Sequence, residues 1–260
     1  MLRKFNPEKV IDVVHWNDTL FSFKTTRSQS LRFRNGEYII IGLEQEEKRP
    51  ILRAYSIVSA NHEDYLEFFS IKVEGGAFTS KLQHLSIGDE VIIGSKPTGT
   101  LVIDDLRDGR NLLLIGTGTG LAPFLSIIKD PETYERFEKV ILFHGVRFID
   151  ELSYNKSITE ELPKHEYLGE MITEQLIYYP SVTRQPYKNQ GRITDLMRTG
   201  KLYQDIGIPE LDPEFDRVML CGSPSMLKET CAIIDEKGFK ESPKKGVKGD
   251  YVVERAFVEK

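Results

Sequence analysis

The chain has only two cysteines, Cys221 and Cys231, in 260 residues. That is too few for a disulfide framework, a structural zinc site or an iron–sulfur cluster, and it fits a reducing compartment. Five histidines are scattered without an HExxH pair, so no metal centre is expected. Positive charge is not in excess. The 35 Lys and Arg against 40 Asp and Glu leave a net charge of −5, which gives no support to a nucleic-acid or membrane-surface role. No apolar run approaches membrane-spanning length, and the opening MLRKFNPEKV has no apolar signal core. Internal repeats and low-complexity segments are also missing. These absences lead us to expect a cytoplasmic monomer with no nucleic-acid, membrane or metal partner.

What is present is an ordinary globular composition, 40% hydrophobic and 29% charged, in a chain long enough for two domains with separate cores. The hydrophobic rhythm changes partway along it. From Glu8 to about Ile103 come KVIDVVHW, TLFSFKTT, GEYIIIGL, RAYSIVSA, YLEFFSIKV and DEVIIG, short β-type segments broken by turn residues. Their spacing and β-branched and aromatic content suit a β-barrel or sandwich. One helix is expected among them, Phe78–Leu85. DDLRDGRN, Asp104 to Asn111, is a polar boundary. After it strands are expected at Leu112–Ile115, Lys139–Phe143, Ile177–Thr183, Arg217–Cys221 and Tyr251–Phe257. Helices are expected at Leu121–Ile128, Asp150–Glu161, Ile193–Thr199 and Ser225–Lys237. Such alternation predicts a parallel sheet covered by helices on both faces.

The stretch NLLLIGTGTGLAPFLSII, Asn111–Ile128, reads as a strand entering a glycine-rich loop and then a helix. In a doubly wound sheet this loop sits at the carboxyl end of a strand, where phosphates bind. Gly116, Gly118 and Gly120, with Thr117 and Thr119 between them, would let backbone amides approach a pyrophosphate. Their G-x-G-x-G spacing puts Leu121 where the common dinucleotide fingerprint has its third glycine. The bland alternative is an ordinary strand-to-helix turn. The next strand, KVILFHGVR, ends in Arg147 and not in the acidic residue that binds an NAD ribose. SVTRQPYKNQGRITD then supplies Thr183, Arg184 and Arg192. Guanidinium forks match phosphate geometry, so a 2′-phosphate, and hence NADP(H) over NAD(H), is favoured.

The order RAYS, FFSIKVEGGAFTSKL, KPTGTL, GTGTGLAPF, HGVR, SVTR, GRIT, CGSPSM and VVERAFVEK resembles the ferredoxin–NADP⁺ reductases over nearly the whole chain. The ending is similar to the bacterial branch, in which Ala-Phe and a short tail replace a terminal tyrosine. The resemblance implies an antiparallel β-barrel FAD domain with one helix, residues 1–103. A Rossmann-like α/β NADP(H) domain with a parallel sheet follows, residues 104–260, its tail 256–260 returning to the FAD.

It further implies that Arg53 pairs with the FAD pyrophosphate, Tyr55 stacks on the isoalloxazine and the Ser56 hydroxyl lies near flavin N5. Ala54, Ser70, Ile71, Lys72 and Val73 would follow the flavin and ribityl chain, and Gly76 and Thr79 the pyrophosphate. Ala256 would approach the other flavin face and Phe257 the adenine. Cys221 would face the nicotinamide, with Gly222 and Met226 beside the NADP(H). Ser56, Cys221, Glu254 and Ala256 are thereby the catalytic candidates. The implied reaction is hydride exchange between NADP(H) and FAD, coupled to single-electron exchange with ferredoxin or flavodoxin. The branch favours NADPH as donor. Three other readings stand beside it: an NAD(P)H:flavin reductase, an electron-transfer subunit, which would need a cysteine cluster this chain lacks, and a non-catalytic nucleotide-binding redox module.

Ala256 stands where relatives carry a bulkier ring, so the apolar tail has to make room for nicotinamide. Deleting Ala256–Lys260 is expected to change nicotinamide affinity and the hydride-transfer rate in stopped-flow measurements. Unchanged values of both would refute this.

Overall fold

The computed structural model describes residues 5–45 and 48–255; Ala256 and Phe257 lie outside the described residues. The β-rich half forms six strands: β1 (Phe5–His15), β2 (Leu20–Thr26), β3 (Tyr38–Gln45), β4 (Lys48–Ser56), β5 (Tyr65–Ile71) and β6 (Glu90–Gly94). They pair antiparallel in the order β4-β3-β6-β1-β2-β5. The two ends of this sheet approach each other where Val58 N donates to Glu67 O at 2.9 Å. Phe21, Phe23, Ile39, Ile41, Phe68 and Phe78 fill the interior as buried side chains. The single helix α1 (Thr79–Leu82) is shorter than the expected span.

The second half forms β7 (Asn111–Thr117), β8 (Lys139–Val146), β9 (Leu176–Val182), β10 (Asp216–Cys221) and β11 (Tyr251–Glu254). These pair in parallel in the order β11-β10-β7-β8-β9. Strands covered on both faces need continuous apolar runs, as LLLI in β7 provides. Its alternate residues serve two cores: Leu112 and Leu114 face one, Leu113 and Ile115 the other. The helices are α2 (Ala122–Ile127), α3 (Pro131–Arg136), α4 (Gly169–Gln175), α5 (Ile193–Arg198), α6 (Lys201–Ile206) and α7 (Pro224–Glu236).

The sequence reading did not expect α4, and three further differences have local causes. The expected Asp150–Glu161 helix is instead a 3₁₀ turn at Ile149–Glu151 and a separate irregular stretch, wide at Ser157–Glu161 and tightened to a 3₁₀ turn at Leu162–Lys164, where Pro163 has no backbone N–H to donate. The unexpected α3 opens on Asp130, whose side chain accepts from Glu132 N, with Pro131 as first helical residue. The unexpected α6 lies between Gly200 and Gly207, at φ 74° and 69°. Among the described residues no helix is long and apolar enough to cross a membrane.

The barrel and the parallel sheet share a core. Leu20, Val58, Phe69 and Leu101 belong to the same buried cluster as Leu112, Leu114 and Phe124. A buried polar knot reinforces it. Asn35 donates to the Asp130 carboxylate at 2.6 Å and accepts from Asn61 N and Ser126 Oγ at 2.8 and 2.9 Å.

Asn35→Ala strips these partners inside a dry interface, at a cost of about 2–3 kcal/mol. The expected result is a fall of about 5–10 °C in the calorimetric midpoint of the FAD-loaded protein.

Candidate functional site

The carboxyl ends of β7 to β10 face the barrel across a cleft of about 1200 Å³. The barrel wall carries Arg53, Ala54, Tyr55 and Ser56 from β4, Ser70 to Val73 at the end of β5, and Thr79 at the start of α1. The opposite wall carries Thr117 to Gly120, Arg147, Thr183, Arg184, Arg192, Cys221, Gly222 and Met226, with Glu254 at the end of β11. Two expected residues do not line the cleft. Gly116 packs inward, where a Cβ would sit 3.1 Å from Gly120 O and 3.2 Å from the Phe124 ring. It lets α2 lie close on β7. Gly76 sits in the turn before α1, where a Cβ would crowd Thr79 Oγ1 at 2.8 Å. The expected contacts of Ala256 and Phe257 lie outside the described residues.

On the barrel wall the Tyr55 ring stands edge-on to Phe68 and 5.9 Å from Phe78. Its hydroxyl donates to Ser70 Oγ, which donates to Ile71 O. Held at both ends, the ring can present a fixed flat surface to an aromatic ligand. Arg53 Nη1 donates to Leu52 O at 2.9 Å. Thr79 is buried, and its Oγ1 has no hydrogen-bond partner among the described residues. A buried donor without an acceptor is costly, and an anionic group between it and Arg53 would satisfy it. The wall therefore fits the pyrophosphate and ring of FAD.

On the opposite wall β7 stands between β10 and β8, so the strand order reverses at the cleft, the usual place for a nucleotide. Gly118 adopts φ 54° beside open space. At Gly120 a Cβ would meet Cys221 O at 2.4 Å, and at Gly222 it would meet Thr117 Oγ1 at 2.2 Å. These glycines keep the two loops in contact and their backbone bare towards the cleft. His144, fully buried, supports the loop with Nε2 3.2 Å from Gly118 O. Burial pushes its imidazole down to about 4, so it is neutral at pH 7 and can donate that proton. Ser181, on β9, is another buried hydroxyl on the cleft with no hydrogen-bond partner among the described residues. It stands beside the expected Thr183, and only β alternation could have flagged it.

The guanidinium groups gather where expected. Arg184 N donates to Arg147 O at 2.9 Å, and the Arg184 guanidinium lies 5.9 Å from the Phe148 ring centre. Glu151, absent from the sequence reading, accepts from Arg147 N and Phe148 N at 2.7 and 3.1 Å and shapes the turn. Arg192 precedes α5. This half of the cleft fits NADP(H).

Between the two halves lies Cys221, paired in register with Glu254. Burial, and then the Glu254 carboxylate, push the thiol up to about 12. It is a neutral group at physiological pH and no nucleophile. Glu254 is on an edge strand, where Oε2 accepts from Thr100 N and Oγ1 at 3.0 and 3.1 Å.

Comparison with known proteins gives the following. The oxidoreductase FAD-binding domain family matches residues 9–102 and the oxidoreductase NAD-binding domain family residues 114–232. The chain is 61% identical over 259 residues to a ferredoxin–NADP reductase of Azotobacter vinelandii, covering 100% of each. It is 62% identical over 253 residues to that of Pseudomonas aeruginosa, covering 97% of this chain and 98% of the relative. A crystal structure of a ferredoxin NADP⁺ reductase from Neisseria gonorrhoeae with bound FAD and NADP superposes with a TM-score of 0.88 at 31% identity, covering 98% and 100%.

A thiol pushed up to about 12 stays protonated when an ordinary thiol, at about 8.5, has ionised. Thiolate absorbance at 240 nm in the native protein is accordingly expected to lack a Cys221 contribution between pH 8 and 10. A Cys221→Ser difference titration checks this.

Proposed function

The chain belongs to the ferredoxin–NADP reductase family, and from that premise we propose that its cleft holds FAD on the barrel wall and NADP(H) on the opposite wall, with ferredoxin or flavodoxin as the electron partner. The observation that carries this is one cleft with two chemically different walls. One has an anchored aromatic ring and a buried hydroxyl with no partner among the described residues; the other has bare glycine loops and three guanidinium groups. FAD, when bound, supplies the conversion between two-electron hydride exchange and one-electron transfer.

The chain's own residues bind, orient and shield. Tyr55 provides the stacking face, Arg53 and Thr79 the phosphate contacts, and Ser56 a hydroxyl beside the ring. Ala54, Ser70, Ile71, Lys72 and Val73 line the flavin's length. Thr117 to Gly120 and Gly222 offer backbone to the nicotinamide dinucleotide, and Met226 closes the loop behind it. Arg147, Thr183, Arg184 and Arg192 select the 2′-phosphate. Cys221 contributes a neutral wall where the two rings must meet, and Glu254 a carboxylate at the same place. Water kept out by such apolar walls cannot compete for the hydride. Gly116 and Gly76 shape the walls from behind. Ala256 and Phe257 complete the flavin site in this reading.

We divide the chain at residues 103 and 104, because all strands of one sheet precede that point and all strands of the other follow it. The carriers are acidic, so docking on a chain of net charge −5 calls for a local basic edge. A cytoplasmic monomer is consistent with two free cysteines.

The test starts with the absorption spectrum of the purified protein, followed by titration with NADPH and NADH. A yellow protein bleached by NADPH at far lower concentration than by NADH, and turning over ferredoxin or flavodoxin with FAD retained, is expected. Release of reduced flavin with no carrier turnover would mark a flavin reductase, and no bleaching a non-catalytic module. Arg184→Ala removes a charge-assisted contact of about 2–3 kcal/mol. KM for NADPH is expected to rise about 30- to 100-fold, with KM for NADH within twofold.

A further inference from the structure

The β1–β2 turn is knitted to both cofactor walls through one side chain. Asn17 Oδ1 accepts from Thr19 N, Thr19 Oγ1 and Leu20 N at 2.8, 3.0 and 2.8 Å. These three bonds lock the turn in the way asparagine favours. On the barrel side the turn is fastened to the cleft-lining Lys72. Lys72 Nζ donates to Asn17 O at 2.6 Å and Lys72 N to Thr19 O at 2.7 Å. On the other side Asn17 Nδ2 donates across the gap to Asp150 O at 3.0 Å. Asp150 lies inside the Arg147–Glu151 turn, whose other hydrogen bonds among the described residues stay within the second half of the chain. Glu151 accepts from Arg147 N and Phe148 N, Gln185 Oε1 accepts from Ile149 N at 2.8 Å, and Arg184 N donates to Arg147 O. Asn17 is therefore the barrel residue that holds the turn carrying Arg147.

We infer that Asn17 is a positioning residue for recognition of the NADP(H) 2′-phosphate, acting through Asp150 O on Arg147. The inference rests on the reading of Arg147 as a 2′-phosphate ligand. It follows from geometry. A guanidinium selects phosphate only when its fork is held in place, and the long arginine side chain is worth less when its backbone can drift. Nothing in the Asn17 bond touches the parts that NADP(H) and NAD(H) have in common, so its loss affects the phosphate-bearing nucleotide selectively.

The experiment uses the full-length, FAD-loaded protein. Asn17→Ser keeps an oxygen for the turn N–H groups, adds no charge and is too short to reach Asp150. The dissociation constant of NADP⁺, measured by calorimetry, is expected to rise about fivefold, the usual effect of one lost hydrogen bond. KM for NADPH should rise in step, while kcat and KM for NADH stay within twofold. In an Arg147→Ala background the same substitution should add less than twofold, because the two residues act as one unit. Unchanged NADP⁺ affinity, equal losses for NADPH and NADH, or a full fivefold loss again in the Arg147→Ala background would overturn the inference. Arg147→Ala alone is the control for the underlying reading. If it leaves the NADPH preference intact, that reading fails separately. Should Asn17→Ser lose FAD, Asn17→Asp, which keeps Oδ1 and loses only the donor, is read in the same cycle. Charge repulsion would persist without Arg147, whereas positioning would vanish.

Discussion

One continuous apolar cluster runs from the barrel into the parallel sheet, and the site depends on it. Leu20 and Phe69 from the barrel, and Leu112, Leu114 and Phe124 from the second half, are buried in the same cluster. Leu20 and Phe69 also reach the cleft wall. Each buried side chain of this size contributes about 1.5–3 kcal/mol, so the two halves are held as firmly as the inside of a domain. A hydride donor and acceptor must meet within about 3–3.5 Å. Walls joined by a loose polar interface could not guarantee such an approach. Buried polar ties around Asn35, and the Tyr154 hydroxyl donating to Glu67 Oε1 at 2.8 Å, fix the orientation that apolar contact leaves free.

The same burial sets the chemistry of groups on the cleft and behind it. Cys221 and His144 are both held neutral by desolvation, one pushed up and the other down. Cys221 is thereby a neutral group on the cleft, in register with the Glu254 carboxylate. Positive charge on the cleft includes Arg147, Arg184 and Arg192 on the wall opposite the barrel. Glycine serves two ends here. Gly118 and Gly222 leave backbone open to a ligand, while Gly116 and Gly120 allow close packing behind it.

Much of the architecture was legible along the chain. The strand–helix alternation after Asn111 announced the parallel sheet, and the β-rich segments before Ile103 announced a barrel or sandwich, between which the family resemblance chose. The short helices were harder. α3 and α6 had readable punctuation, Asp130-Pro131 and the Gly200–Gly207 pair, but at six residues neither carries an apolar period. The expected helix at Asp150–Glu161 forms only in its second part, as irregular turns that run on to Lys164. Within the site, the arginines and glycines were visible by type and spacing. Asn17 was not, because it acts through a backbone group brought near only by folding, and neither were Glu151 and Ser181, whose residue types carry no distinctive spacing.

By itself the sequence determined which elements form, which residue types could meet a phosphate or a flat ring, and the family to which the chain belongs. Those properties are written in periodicity, composition and the order of short motifs, all of them local. The tertiary structure alone decided that Gly116 faces a helix and Thr117 the cleft, that the Thr79 hydroxyl is left with no partner among the described residues, and that Asn17 reaches Asp150 across 133 positions of chain. Direction, burial and long-range contact arise from how two sheets pack against each other, and no local pattern encodes them.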